Sequence, residues 1–227
     1  MRVRTLHPWN VGTQEAREIQ LRLRERVITA PEPGFSPHLI AGADMSIGRF
    51  ERRGFAGIVV LETPGLETVA TASAAVDVAF PYIPGLLSFR ELPAIAAAWE
   101  RLETRPDVII FDGQGLAHPR RFGIACHGGV LLDVPAIGCA KSLLVGKHDP
   151  LGPERGATAE LVDRGEVVGM AVRLRERVRP VYVSVGHRID LETAVRVVQS
   201  AGAGYREPET TRRAHRLVGE MRRAAGS

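Results

Sequence analysis

The sequence predicts an α/β fold, a mixed β-sheet with helices on both faces, and three observations predict it. Apolar segments of strand length come first in close succession, and segments of helical period alternate with strands afterwards. That is the order of a sheet that opens with hairpins and continues through crossovers. Asp107 is followed by the continuous apolar run Val108-Ile109-Ile110-Phe111, the pattern of a strand covered on both faces. The 227 residues are 44% hydrophobic, with no internal repeat and no linker-like stretch between two halves. A single domain over residues 1–227, long enough to bury a sizeable core, is the expectation.

Thr13 to Thr29 follows a helical period, with Ala16, Ile19, Leu23 and Val27 at three- and four-residue steps and Thr13 as a cap. The Pro31-Glu32-Pro33-Gly34 cluster stops it. Strands are predicted near 38–47, 54–62 and 67–79, the last two joined by the turn signal Thr63-Pro64-Gly65. A helix over 88–104 carries Leu92, Ile95, Ala96 and Trp99, and Ser88 with Glu91 three residues on has capping-box spacing. Strand 107–111 follows, then Phe122 to Leu132 as a helix in spite of its glycines, and a short strand at 134–140. Residues 145–157, rich in Gly, Pro and charge, read as a loop. Strands near 158–163, 166–173 and 180–185 and helices near 190–200 and 209–223 complete the chain.

The most informative segment is Pro81-Tyr82-Ile83-Pro84-Gly85-Leu86-Leu87-Ser88-Phe89-Arg90-Glu91. Two prolines fix φ and remove backbone donors, holding Tyr82 and Ile83 on a stiff arch, and Gly85 permits the sharp turn that leaves it. Leu86 and Leu87 look exposed. The arch reads as a rigid apolar wedge or as an ordinary stiff loop ahead of a capped helix.

Three acids occupy suggestive positions. Asp44 lies inside the strand His38–Ser46, on the face shared by Gly42 and Ser46. Asp112 ends the buried strand and opens the turn Asp112-Gly113-Gln114-Gly115, at the sheet edge where open α/β folds place ligands. Glu91 opens a helix. Singly they read as a buried hydrogen-bonded group, a turn former and a cap. Jointly they could converge on a hard cation, for which oxygen donors suit Mg²⁺ or Mn²⁺, whereas no Cys/His spacing suggests zinc. Lys141 follows a short apolar strand at the same kind of edge, either as a surface lysine or as a charge for a phosphate.

Thirty basic against 26 acidic side chains give a net charge of +4, mildly basic and permissive for nucleic acid. Arginines cluster at 17, 22, 24 and 26, alternate at 173, 175, 177 and 179 along a late strand, and load the tail at 206, 212, 213, 216, 222 and 223. Each run is either a solvated face or a phosphate-binding surface. Cys126 and Cys139 read as small buried residues, which with no leader-like amino end points to a reducing cytoplasm. Cys126-His127 as a nucleophile and its base is poor geometry, because helix neighbours point to different sides. No apolar run is long enough to span a bilayer, so no membrane partner is expected.

The arch segment, with Gly42-Ala43-Asp44-Met45-Ser46, Asp112-Gly113-Gln114-Gly115 and His118-Pro119-Arg120, resembles the endonuclease V family of deoxyinosine-directed repair nucleases, which has a ribonuclease-H-like fold. Gly138-Cys139-Ala140-Lys141-Ser142, Ser184-Val185-Gly186-His187-Arg188 and Pro208–His215 extend the resemblance over nearly the whole chain. It implies a Mg²⁺-dependent endonuclease, with Mn²⁺ substituting, that cuts DNA containing deoxyinosine at the second phosphodiester bond 3′ of the lesion. Asp44, Glu91, Asp112 and Lys141 would be catalytic, the three acids would hold the metal, and His215 would stand in its outer shell. Tyr82, Ile83, Pro84, Gly85, Leu87, Gly113, Gly115 and His118 would contact substrate, with backbone amides of the Gly85 and Gly113–Gly115 turns donating to the flipped base. A cytoplasmic monomer is implied. The alternatives are inosine-containing RNA as substrate, and a non-catalytic nucleic-acid-binding descendant, against which the retention of all three acids and Lys141 argues.

Overall fold

The computed structural model describes residues 1–48 and 51–226. Eight strands form one sheet in the order β3-β2-β1-β4-β5-β8-β7-β6. They are β1 Leu39–Ile47, β2 Arg53–Glu62, β3 Glu67–Asp77, β4 Val108–Phe111, β5 Ala136–Ala140, β6 Thr158–Asp163, β7 Glu166–Val172 and β8 Val181–His187. β1, β4 and β5 are parallel, and every other pairing is antiparallel. The expected mixed sheet is therefore present, and its parallel centre is where the apolar runs are unbroken. All four residues of β4 and all five of β5 are buried.

Five helices cover the two faces: α1 Thr13–Leu23, α2 Leu87–Glu100, α3 Ile124–Leu132, α4 Leu191–Ser200 and α5 Glu209–Ala225. On one face, Leu92, Ile95 and Trp99 of α2 with Leu131 of α3 pack on Ala41, Ala43, Ile58, Ile109 and Phe111. On the other, α4 packs Ala194, Val197 and Val198 against Ile40, Ile110, Ile137 and Val183, while Ala214 and Leu217 of α5 meet Val59 and Leu61. α1 lies further out, with Ile19 and Leu23 against Phe89 and Phe122. None of the described helices is long and apolar enough to cross a membrane.

Several local expectations differ from what is found. Helix α1 begins after Gly12 with no side-chain cap, so Thr13 is its first residue, and the chain tightens into a 3₁₀ turn at Arg24–Arg26 instead of staying α-helical to Thr29. Leu86 is 1% exposed, because its side chain joins Phe80, Phe89 and Phe122 in the core beneath the arch. That burial moves the helix start back by one residue. Leu86 becomes the N-cap with no side-chain acceptor, and Ser88 lies inside the first turn. The Ser88 hydroxyl instead faces His127 Nδ1 at 3.0 Å, so no capping box forms. Helix α2 stops at Glu100 rather than 104, ahead of the loop that approaches Pro106. Arg173 to Arg179 follow β7 as a turn, not a strand, with Arg177 at a left-handed φ of 57°.

Candidate active site

Sheet register brings the two aspartates together. β1 and β4 run parallel with Ala43 opposite Phe111, so Asp44 and Asp112 are the next residues on adjacent strands. Phe111 is in turn opposite Gly138, which sets Lys141 two residues beyond the level of Asp112 on the same side of β5. Helix α5 closes over this edge because β1 has a glycine beneath it. A Cβ on Gly42 would lie 2.3 Å from the Thr210 carbonyl carbon, so only glycine admits the helix backbone so closely. α5 thereby lays His215 beside Asp44, with Nδ1 at 2.8 Å from Oδ2.

The side chain of Asp44 is 12% exposed, and its Oδ1 accepts from the Met45 N–H at 2.8 Å. Burial pushes its carboxyl above the ordinary range, the charge of Asp112 adds to this, and the His215 contact opposes it. Asp112, 22% exposed, places Oδ2 at 2.6 Å from Lys141 Nζ. Burial still holds its carboxyl high against that ammonium. Glu91, on the second turn of α2, is pushed up to about 8 by burial and then by Asp44 and Asp112, with the Arg90 charge in opposition. Burial would lower Lys141, but Asp112 and Glu207, the latter at 3.1 Å, outweigh it and hold the ammonium firmly protonated.

Among the described residues, no three His, Cys, Asp or Glu side chains stand close enough to form a ready cation cage. The contacts explain this: His215 takes one oxygen of Asp44 and Lys141 takes one of Asp112. The donor set nevertheless suits a hard divalent ion. Asp44 and Asp112 at the sheet edge repel the carboxylate of Glu91 on α2, which has no hydrogen-bonding partner among the described residues, a costly state for a partly buried carboxylate unless a proton or a cation neutralises it.

A cavity of about 240 Å³ adjoins the acids. Ile83, Pro84, Gly85 and Leu87 of the arch, with Gly113 and His118, line it, and so do Asp112 and Lys141. Tyr82 stands at its rim, 68% exposed. Gly115, expected among the contact residues, is elsewhere: it packs against β8, where a Cβ would meet the Val185 carbonyl oxygen, and its N–H donates to Ser184 Oγ at 2.8 Å. The Gly113 N–H is also taken, by the Phe111 carbonyl at 2.9 Å. Open donors occur instead at the uncapped helix starts. Gly85, Leu87 and Ile124 line the cavity, and their backbone N–H groups meet no protein acceptor among the described residues.

His118 is 2% exposed, with Nε2 on the Gly85 carbonyl and Nδ1 accepting from the Arg120 N–H, and burial lowers it to about 4. His187 is buried with Nδ1 accepting from the Ile28 N–H. Cys126 is buried with Sγ facing the Val185 carbonyl, and His127 pairs with His7 and Ser88, so the two form no catalytic pair. Sequence reasoning missed Glu207 and Gln114. Gln114 lines the cavity, donates to the Ser142 carbonyl at 2.9 Å and leaves a buried Oε1 without a partner. Gln114 stood within the quoted turn, but Glu207 carried no local signal, since only the fold brings the α4–α5 connection to Lys141.

The family described as Endonuclease V matches residues 21–216. The chain is 63% identical over 218 residues to an Endonuclease V of Myxococcus xanthus, covering 96% of this chain and 93% of that one. It is similar to the crystal structure of the Streptomyces avermitilis Endonuclease V, with 42% identity, a TM-score of 0.91 and 96% of each chain covered. It is also similar to the Ciona intestinalis Endonuclease V solved with a 24mer DNA containing an inosine followed by a ribo-adenosine. There the identity is 27% and the TM-score 0.82, over 93% of this chain and 98% of that one.

Proposed function

The chain belongs to the endonuclease V family, and from that premise we propose that it is a cation-dependent repair endonuclease directed at deoxyinosine in DNA. It cleaves the second phosphodiester bond on the 3′ side of the lesion and leaves a 3′-hydroxyl and a 5′-phosphate. The observation that carries this reading is one sheet edge where Asp44, Asp112 and Lys141 gather near Glu91 of α2, with Asp112 and Lys141 also lining a base-sized cavity beside the arch.

Asp44, Glu91 and Asp112 would hold Mg²⁺, or Mn²⁺ in its place, with His215 orienting Asp44 from outside. Bound there, the ion supplies Lewis-acid polarisation of the phosphate and neutralises developing charge. Lys141 adds a fixed positive charge at the phosphate, kept in place by Glu207 as well as Asp112. The stiff arch with Tyr82 at its tip enters the stack and occupies the space left by the extruded base. The N–H groups of Gly85, Leu87 and Ile124 donate to acceptors on the hypoxanthine edge; O6 suits them, where adenine would present a donor instead. His118, with both ring nitrogens engaged, shapes the wall.

The whole of residues 1–227 acts as one domain, a monomer in the cytoplasm. A second reading, inosine in RNA, is favoured by one observation: the inosine strand bound by the Ciona relative continues with a ribonucleotide. Matched inosine-containing DNA and RNA strands, incubated with and without Mg²⁺ and resolved by fragment size, separate the readings. Cation-dependent cutting directly 3′ of the lesion's 3′ neighbour, in DNA, is expected. Cleavage of RNA alone makes the second reading the correct one, and no cleavage of either sinks both.

A further inference from the structure

The carbonyl of Gly85 sits where the arch turns into α2, and three side chains donate to it. Gln20 Nε2 lies at 3.1 Å, His118 Nε2 at 3.0 Å and an Arg120 guanidinium nitrogen at 2.7 Å. A carbonyl oxygen has two lone pairs, so three donors exceed what satisfying it requires. The donors are also tied to each other. Arg120 Nε donates to Gln20 Oε1 at 2.6 Å, and the Arg120 backbone N–H donates to His118 Nδ1 at 3.2 Å, which fixes the histidine proton on Nε2. Gln20 Nε2 additionally reaches the Phe122 carbonyl at 3.0 Å, so helix α1, the arch and the segment before α3 share one knot.

The peptide between Gly85 and Leu86 is held at its other end too, since the Leu86 N–H donates to the Ile83 carbonyl at 2.9 Å. Held at both ends, it fixes Gly85 at its left-handed φ of 79° and with it the direction of the open Gly85 N–H. Gln20 is 1% and His118 2% exposed, while Arg120 closes the knot from a half-buried position. None of its hydrogen bonds reaches Asp44, Glu91, Asp112 or Lys141.

We propose that Gln20, His118 and Arg120 are positioning residues that clamp the Gly85 peptide and thereby set which base the cavity accepts, leaving bond cleavage to the acid edge. This rests on the cavity being the base site. A loosened Gly85 lets the N–H donors and the arch drift, so lesion binding weakens while the reacting groups stay where they are.

The test uses the full chain as wild type, Gln20→Leu, Arg120→Met and Arg120→Lys, each checked for folding by thermal melting. Steady-state cleavage is measured on inosine duplex, with undamaged duplex as competitor. In Arg120→Met and Gln20→Leu, KM for the inosine duplex rises about tenfold with kcat kept, the scale of one hydrogen bond lost from a partly buried carbonyl. Arg120→Lys keeps the charge without the fork and falls between, a partial rescue that general destabilisation would not produce. Should Gln20→Leu not fold, the two Arg120 variants decide. Folded Arg120→Met with wild-type KM and wild-type preference overturns the clamp, as does a fall in kcat at unchanged KM. A wild type with no preference for inosine overturns the base-site reading itself, before any variant is compared.

Discussion

Asp44 and Asp112 sit side by side, and each carboxylate meets a side-chain nitrogen, His215 Nδ1 on Asp44 and Lys141 Nζ on Asp112. Replacing either with alanine should abolish cleavage while leaving binding of inosine-containing DNA within a few-fold, because the chemical step depends on the ion and binding does not. Full activity in either variant at saturating Mg²⁺ would falsify the three-carboxylate site. Glu91 yields a second expectation. Its carboxyl rests at about 8 in the fold against 4.5 in an ordinary setting, so the folded protein favours the protonated form and loses stability as pH rises towards 8. Below about 6.5 the buried histidines act in the opposite sense. His118 and His187 are lowered to about 4, and their stabilising neutrality is lost on acidification. Cation-free protein should therefore melt highest near pH 6.5, and added Mg²⁺ should raise the melting temperature more at pH 8 than at pH 6.5. A Mg²⁺ effect that is flat across this range would remove Glu91 from the site. Sequence made these three acids visible through their settings, but it misjudged the Ser88–Glu91 pair. Whether a serine caps a helix or lies inside it depends on the burial of Leu86, which is a tertiary fact.

At the scale of elements, the arch and α2 act as one device. Pro81 and Pro84 stiffen it, Leu86 anchors it in the core, and the helix start beside the cavity has no side-chain cap on its N–H groups. Tyr82 projects from this device without touching the acids. Base–aromatic stacking is worth about 1–3 kcal/mol, so Tyr82→Ala should weaken binding of inosine duplex roughly tenfold or more. The loss should be smaller on single-stranded inosine DNA, where there is less stacking and no pairing to break. Residual cleavage should keep its bond position. Equal losses on the two substrates would assign Tyr82 to the loop's own packing. Strand positions were legible throughout, most plainly where the apolar run is uninterrupted, as at Val108–Phe111, and their ends agree within about two residues. The turn carrying Arg175 to Arg179 was not, because alternation of arginine with apolar residues imitates a half-buried strand, and only the absence of a pairing partner shows otherwise.

Across the whole molecule, the arginines divide into two populations that sequence could not separate. Arg206 donates to the carbonyls of Lys141, Arg179 and Pro180, while Arg212 and Arg213 grip Glu209 at the start of α5. These brace the fold. Arg17 and Arg22 on α1, Arg179 after β7 and Arg216 on α5 are exposed and remain candidates for phosphate contact. The dissociation constant for undamaged duplex should rise steeply with salt, and Arg17→Gln with Arg22→Gln should flatten that slope by one to two released counterions, about 0.9 per phosphate contact. An unchanged slope would leave α1 a solvated face.

Helix α5 lies directly on the backbone of β1 at Gly42 and sets His215 against Asp44. The first strand of the sheet is thus completed by the last helix of the chain. A polypeptide emerging from the ribosome makes Asp44 early, pairs it with Asp112 only after the hairpin and α2 have been synthesised, and lacks the lid over both until residue 215 is free of the exit tunnel. Until α5 is available, the groove over Gly42 has nothing packed in it and His215 is not beside Asp44, so the acid edge is finished by the segment made last.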